Sequence, residues 1–544
     1  MTVYNKASLV LAESPAYKAG KIQPYYPLTP DVSFDFTRAT SATRVNASGN
    51  IEKETQNLLL QSNQFDTTWT ESGSTGIITS GFAGYDGSND AWQLEHKASQ
   101  YTSIRQSVST SGTQTFSCYA KAGTLDYIIL YAGTPRAWFN VSSGVVGSTT
   151  STIDASITSV GGGWYRCSIT FDGSITTARI YPNDASGTFG TTTGTIYIQD
   201  AQLEQGLVAR NYQETTTAAF YGGITDNIPR LDYTDSSCPS VLLEPQRTNL
   251  IGQSEYLVSI NGGSVEYNSS TSPEGLQNAT KVIFGASVND GATMNLSASC
   301  SGNTQYTWSA YVKNISGTGL FNIRIDTDTT TILVNQDITA TSEWTRVSHT
   351  FTTDASATSF GSNSRYRSDA DGNEILIWGA QIEEGSYPTS YIPNHSGGSV
   401  TRDKDTINEF TLPSSIEGDF TIFIDTREFL ASHKFIQFKA TDGTLTYAFY
   451  SFSNHYDVYN GSAFIVDTSA DANGKIVLKQ SGSSVKIFVN GVDKTKSGAT
   501  ANAIGIAKIL VSQTSLQNNT AALNQMLLFP TALSDAECIT LTTL

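Results

Sequence analysis

Phe116-Ser117-Cys118-Tyr119-Ala120-Lys121 and Trp308-Ser309-Ala310-Tyr311-Val312-Lys313 are one strand pattern that occurs twice. Period-two alternation puts Phe116, Cys118 and Ala120 on one face and Ser117, Tyr119 and Lys121 on the other, and the second stretch alternates in the same phase. Working outward, Trp164-Tyr165-Arg166 matches Trp344-Thr345-Arg346 and the opening Asn57-Leu58-Leu59 matches Asn249-Leu250-Ile251. The closing Ala201-Gln202-Leu203-Glu204-Gln205-Gly206 matches Ala380-Gln381-Ile382-Glu383-Glu384-Gly385. The landmarks keep their order, so the chain holds one module in two copies. Such duplication excludes most single-site enzyme readings and favours a protein that displays modules.

The chain has 544 residues, room for three or four domains with separate cores. Only 15% of residues are charged and three are Met, while Thr, Ser, Gly and Asn abound, a mix that favours strands and turns over long helices. In Trp164 to Phe171, the face carrying Tyr165, Cys167, Ile169 and Phe171 reads as core. Ile196-Tyr197-Ile198 and Ile375-Leu376-Ile377 form a last strand before the shared Gln-x-Glu-x-Gly exit. With turn clusters such as Gly161-Gly162-Gly163 between runs, each copy reads as a two-sheet antiparallel sandwich. A different texture begins near Thr406, with alternating strands at Phe420 to Asp425 and Val485 to Val489, a tight-turn Asn490-Gly491, and Ser534 and Glu537 as the capping box of a short terminal helix. The fold class is all-β and multidomain.

A net charge of −17 with no basic run argues against a nucleic-acid partner. The five Cys show neither zinc-site spacing nor a disulfide framework. Cys118 and Cys167 could meet across a sheet, but Ala310 and Val347 in the second copy make small buried apolar positions the better reading. No run approaches the ~20 apolar residues of a membrane span, and Met1 to Pro30 lacks a signal-peptide core, so no membrane insertion is expected.

Two segments outside the sandwiches carry a resemblance. Asp35-Phe36-Thr37-Arg38, Ser41-Ala42-Thr43-Arg44-Val45-Asn46, Ile228-Pro229-Arg230-Leu231-Asp232-Tyr233, Cys238-Pro239-Ser240 and Leu243-Glu244-Pro245-Gln246-Arg247-Thr248 resemble a run common in bacteriophage fibre and tail proteins. There the two motif groups usually stand close together, so residues 1–56 and 207–248 are expected to form a small N-terminal base interrupted by an inserted module. The copies, 57–206 and 249–404, resemble the carbohydrate-binding jelly rolls of phage adhesins and polysaccharide-degrading enzymes, through the Asn-Leu-Leu opening, the Trp-x-Arg strand, and the closing run continued by Tyr387-Pro388-Thr389-Ser390-Tyr391-Ile392-Pro393. The first copy has Asp200 where Gly379 stands and Ala209-Arg210-Asn211-Tyr212 in place of Thr389-Ser390-Tyr391, which weakens any claim of identical linkage geometry. Residues 405–544 resemble a concanavalin A-like or laminin-G-like sandwich. Together the resemblances imply a non-enzymatic virion fibre or receptor-binding protein, assembled in the host cytoplasm, that attaches the particle to host-surface polysaccharide. They imply a homotrimer whose base contacts other virion proteins, Tyr25-Tyr26-Pro27 being the expected contact. A structural decoration of capsid or tail and a glycan-degrading enzyme are the alternatives.

Candidate glycan contacts follow from the aromatic residues. Trp164 and Trp344 each stand two residues before an Arg on the same strand face, so Trp164 with Arg166 and Trp344 with Arg346 read either as sugar platforms or as surface cation–π pairs. Trp92 and Trp138 are absent from the second copy, which offers Thr280 and about Ile332 instead. A residue the sister scaffold lacks is a candidate for ligand contact, or for packing on the base or another subunit. Asp369, Asp371, Asn373 and Glu374 cluster oxygen donors around Gly372. They read as a calcium site or as a solvated turn, so no cofactor is expected to be required beyond such a structural calcium. Asp326 and Asp328 form a weak carboxylate pair, and no nucleophile, zinc or phosphate-loop motif occurs, so enzymatic activity is not expected.

Overall fold

The computed structural model describes residues 3–11, 16–18, 20–23, 33–97, 101–234, 237–296, 298–328, 331–368, 372–429, 433–452, 455–466, 474–502, 504–511 and 521–543. Their regular secondary structure is almost wholly strand, organised as several antiparallel sandwiches. In the first repeat, Thr113–Ala122 lies in a six-stranded sheet between Trp164–Asp172 and Gly194–Gln205. The facing six-stranded sheet runs in the order Val145–Thr150, Arg136–Asn140, Tyr127–Tyr131, Ile175–Asn183, Ser103–Thr110, Thr70–Ser72. Phe116, Cys118 and Ala120 from one sheet and Ile128, Leu130 and Phe139 from the other share one core, as the alternation requires. Cys118 and Cys167 are cross-strand partners with both thiols free and buried. The second repeat packs two five-stranded sheets in the same arrangement, around Trp308, Ala310 and Val312.

The shared landmarks hold the repeats closed. Asn57 accepts from the Leu59 and Leu203 amides and donates to the Ala201 and Gln213 carbonyls. Asn249 does the same with Ile251, Ile382, Ala380 and Ile392. These are buried Asn residues whose donors and acceptor are both satisfied, which pins the entering strand to the exiting one. The exits match as well, despite their different sequences. Gln202 donates to Glu204 and Gln381 to Glu383, each at 2.6 Å. The Arg210 amide takes the place of the Thr389 amide on that Glu. Asp200 and Gly379 both adopt left-handed backbone, φ 53° and 66°. Backbone donors carry this linkage, so the change of side chain leaves it intact.

The base is not a unit with its own core. Arg230–Asp232 and Ser240–Leu243 extend the sheet of the C-terminal sandwich by pairing onto Ala521–Phe529, which also takes Leu9–Leu11. Leu9, Phe34, Phe36, Leu231 and Leu243 share a single core with Phe420, Ile422 and Leu528. The interrupted base and residues 405–544 therefore form one body, from which both repeats emerge. Tyr25, Tyr26 and Pro27 lie outside the described residues. The terminal helix, Asp535–Thr543, is capped reciprocally by Ser534 and Glu537.

Where the repeats leave this body, Arg38, Arg230 and Arg402 meet Glu244 and Asp405, all five fully or almost fully buried. Arg38 contacts Asp405 at 2.9 Å, and Arg230 bridges Asp405 and Glu244, the latter at 2.6 Å. Burial opposes ionisation of Glu244, but Arg402 and Arg230 overcome it and hold its carboxyl down at about 2. A depressed carboxyl contributes stability that is present above its ordinary range and is lost as pH falls towards 2. Removing one partner of such a group strands buried charge. Asp405→Asn is therefore expected to lower stability by about 3–5 kcal/mol, read as a fall in the urea midpoint at neutral pH; an unchanged midpoint would show that the group is not the anchor described.

Candidate functional site

Each repeat has two outward sheet faces, and one of them is occupied. On the face carrying the Trp-x-Arg strand, the first repeat buries Trp164 against Tyr85, Tyr119 and Tyr212. The second packs Trp378, Tyr391 and Trp344 against Val45 and Ile51 of the base. The arginines cover tyrosines one strand away. Arg166 lies 5.3 Å above the Tyr119 ring and Arg346 5.5 Å above Tyr311, while each also reaches a neighbouring Ser hydroxyl. Trp164 is thus closed off by protein as a sugar platform, while Trp344 and Arg346 are half-buried and already engaged by protein partners. The indole of Trp344, half-buried, donates to the Thr271 carbonyl at 3.0 Å.

The other outward face is open, and there the repeats differ. In the first, Tyr127, Ile129 and Tyr131 alternate outward from a strand whose Ile128 and Leu130 point to the core. Trp138, Tyr181 and Phe189 join them in a cluster made entirely of first-repeat residues. Register lines them up in rows. Ile129 is paired with Trp138 on one side and Tyr181 on the other, and Tyr131 with Arg136 and Arg179. Arg105 pairs with Arg179 on the next strand. The guanidinium carbons of Arg136 and Arg179 lie 5.9 and 5.8 Å from the Tyr131 ring centre. Phe189 stands edge-on to Trp138, Tyr181 and the exposed Tyr101. An antiparallel sheet normally turns polar residues to solvent, and an outward aromatic patch of this kind marks a contact surface.

Trp138 belongs to this patch but forms its floor. It is 3% exposed beneath Phe189, with its indole N–H donated to the Thr188 carbonyl at 2.9 Å, so the accessible rings are Tyr127, Tyr131, Phe189 and Tyr101. Trp92 is displaced from the site altogether. It points inward, edge-on to Phe65 at 6.1 Å, with its N–H satisfied by the Asn63 carbonyl. The second repeat fills this place with Thr280, which pairs with Ile377 as Trp92 pairs with Ile198, so the difference between copies here is one of core packing. The strand corresponding to that of Trp138, Ile332–Thr339, turns Asn335 and Asp337 to the outer face, and Ile332 only begins it. Tyr127, Tyr131, Arg136 and Arg179 were missed, although Tyr127-x-Ile129-x-Tyr131 shows the alternation that exposes them.

Of the remaining candidates, the described ones face protein partners. Asp369 and Asp371 lie outside the described residues. Asn373 accepts from the Gly319 amide and donates to the Leu320 carbonyl, and Glu374 lies 3.8 Å from Lys281. Two of the four expected calcium donors are therefore already engaged. Asp326 is clasped by Arg324 at 2.9 Å while Asp328 holds Thr358, so the carboxylate pair is divided between separate partners.

No protein-family model and no curated protein matches this chain. Solved structures similar to it include the CBM22-1 and GH10 modules of Clostridium thermocellum endo-1,4-beta-D-xylanase 10B, complexed with xylohexaose, at 18% identity and a TM-score of 0.21. That match covers 28% of this chain and 30% of the xylanase fragment, so the chain spans under a third of that fragment's length. The N-terminal CBM22-1–CBM22-2 tandem domain of a Paenibacillus barcinonensis protein matches at 10% identity and a TM-score of 0.18, over 65% of this chain and 97% of its own. The LG1-3 region of the laminin alpha2 chain matches at 10% identity and a TM-score of 0.16, over 80% and 96%.

One group on the closed face carries a pH signature. Burial pushes the Asp200 carboxyl up to about 7, with Asp90 and Asp86 adding to it, while the Tyr85 hydroxyl donates to it at 2.9 Å. A raised carboxyl stabilises the fold at low pH, and that contribution is lost as pH rises through 7. Asp200→Asn keeps an acceptor for Tyr85 and tolerates left-handed backbone. It is expected to stabilise the protein at pH 8 by on the order of 1–3 kcal/mol and to change little below pH 4, measured by denaturation across that range.

Proposed function

We propose that this chain is an attachment protein that holds a particle to a glycan-coated surface, with the open outer face of the first repeat, within residues 101–189, as the binding platform. The observation that carries this reading is the row Arg136, Tyr131, Arg179 beside Trp138, Tyr181 and Phe189 on an otherwise solvent-facing sheet. Pyranose C–H faces stack on such rings, while guanidinium N–H groups reach ring oxygens and hydroxyls. Phage fibre-type motifs in the base support the particle as a virion and host-surface polysaccharide as the glycan. Arg38, Arg230 and Glu244 of those motifs build the buried anchor from which the repeats emerge. Assembly as a homotrimer would multiply shallow sites and raise avidity through effective concentration. Catalysis has no part in this reading.

The test uses the whole chain. Tyr131→Ala combined with Tyr127→Ala is expected to weaken binding to host-surface polysaccharide roughly thirty-fold, about 2 kcal/mol, by titration calorimetry, with the unfolding midpoint little changed because both rings lie outside the core. Unaltered affinity in a folded double variant would exclude this face. A particle that carries the variant yet adsorbs normally would favour a decoration protein.

A further inference from the structure

We infer that the platform is built for an acidic polysaccharide, one whose sugar carboxylates are gripped by Arg136, Arg179 and Arg105. The inference rests on the proposed glycan-binding face and specifies the chemistry of its ligand.

The geometry is a line. Arg136, Tyr131, Arg179 and Arg105 occupy one register row across four neighbouring strands. With strands roughly 4.8 Å apart, the Arg136 and Arg179 backbones stand about 10 Å from each other and Arg105 one strand further on. The aromatic ring sits between two guanidinium groups, and a third continues the row, so a chain laid along it meets a stacking surface flanked by bidentate donors. Such forks match planar carboxylates.

These arginines are also unspent. No ion pair found among the described residues includes Arg105, Arg136 or Arg179, in a chain with 49 acidic and 32 basic residues. Arg136 donates only weakly, to the Thr134 carbonyl at 3.4 Å, and its Nε is a buried donor without an acceptor. Arg179 reaches only the Thr177 and Tyr181 hydroxyls, at 3.4 and 3.3 Å. The second repeat supplies the contrast on the corresponding face. There Arg324 is paired with Asp326, Arg367 donates to Asn322, Asn289 and Asn335, and Arg365 donates to Asn363. Three outward arginines occur in both repeats, but in the second they are satisfied by their neighbours and in the first they are left for a ligand. A net charge of −17 sets a general repulsion against an acidic polymer, to which this arginine row is a local exception.

The experiment compares the full-length protein's affinity for a glucuronate-containing polysaccharide with its affinity for the same polymer after chemical reduction of the carboxyl groups. The acidic form is expected to bind at least about ten-fold more tightly, with the advantage shrinking as salt is raised. In the triple variant Arg105→Gln, Arg136→Gln, Arg179→Gln that ratio is expected to fall to about one, while Arg324→Gln in the second repeat leaves it at the wild-type value. Equal binding of both forms by the wild type would overturn the acidic specificity and leave the glycan-binding face standing. Equal binding of a sulfated polymer of matched charge density would overturn the assignment to carboxylate. Binding of neither form, nor of any other polysaccharide on a mixed array, would overturn the glycan reading itself.

Discussion

The buried contact of Arg38, Arg230 and Arg402 with Glu244 and Asp405 is the constraint on which the arrangement of the molecule depends. Its five side chains come from segments separated by up to 367 residues in sequence, and together they carry three positive and two negative charges. Desolvating so many ions is costly, and only dense pairing with additional hydrogen bonds offsets it. Those bonds are present. Arg38 donates to the Thr40 and Thr225 carbonyls, Arg230 to the Thr43 carbonyl, and Arg402 to the Pro245 carbonyl. Ser390 donates to Glu244 through both its amide and its hydroxyl. An apolar cluster could have supplied equal stability, but charged forks with fixed partners specify one docking geometry.

A second buried group does the same for the repeats. Lys53 of the base binds Glu255 and Glu274 of the second repeat, and Glu274 also takes Arg210 from the exit of the first. Burial opposes ionisation of Glu274, yet Lys53 and Arg210 hold its carboxyl down at about 2. Around this group, Thr113 and Asp172 of the first repeat bond to Gln253 of the second, and Asp154 accepts from Asn268. The two repeats are therefore fixed to each other as well as to the base. The open face of each is presented at a set angle, which a flexible tether would not do.

Much of the scaffold was legible because it obeys local rules. Alternation placed Phe116, Cys118 and Ala120 inward, and matched landmarks marked Asn57 and Asn249 as shared openings, whose hydrogen bonds make each a clamp. The base was less legible, since its strands complete their sheet on Ala521–Phe529, a partner nearly three hundred residues away, and no local pattern encodes that pairing. The site was least legible. Trp92 and Trp138 both distinguish the copies, yet one does so by filling a core position and the other by paving a surface, and a single aromatic letter does not reveal which. Face assignment decides it. Ile128 and Leu130 point inward, so Tyr127 and Tyr131 must point out.

That assignment also locates where the two repeats differ. Duplicated sandwiches must keep their cores, clamps and exits, and these are the features the repeats share. A solvent-facing sheet surface is under no such restriction, and the repeats diverge there without disturbing the fold. On the second repeat, Asn and Asp neighbours satisfy the arginines and make a closed polar surface. On the first, register puts Ile129, Trp138 and Arg136 where the second has Asn322, Asp337 and Asn335, and Tyr131 where it has Arg324. A ring beside a guanidinium offers attraction without accepting its hydrogen bonds, so the donors remain directed outward. Apolar and aromatic residues at the positions of polar partners thus do two things at once: they form a stacking surface and leave the adjacent arginines without carboxylate or amide acceptors.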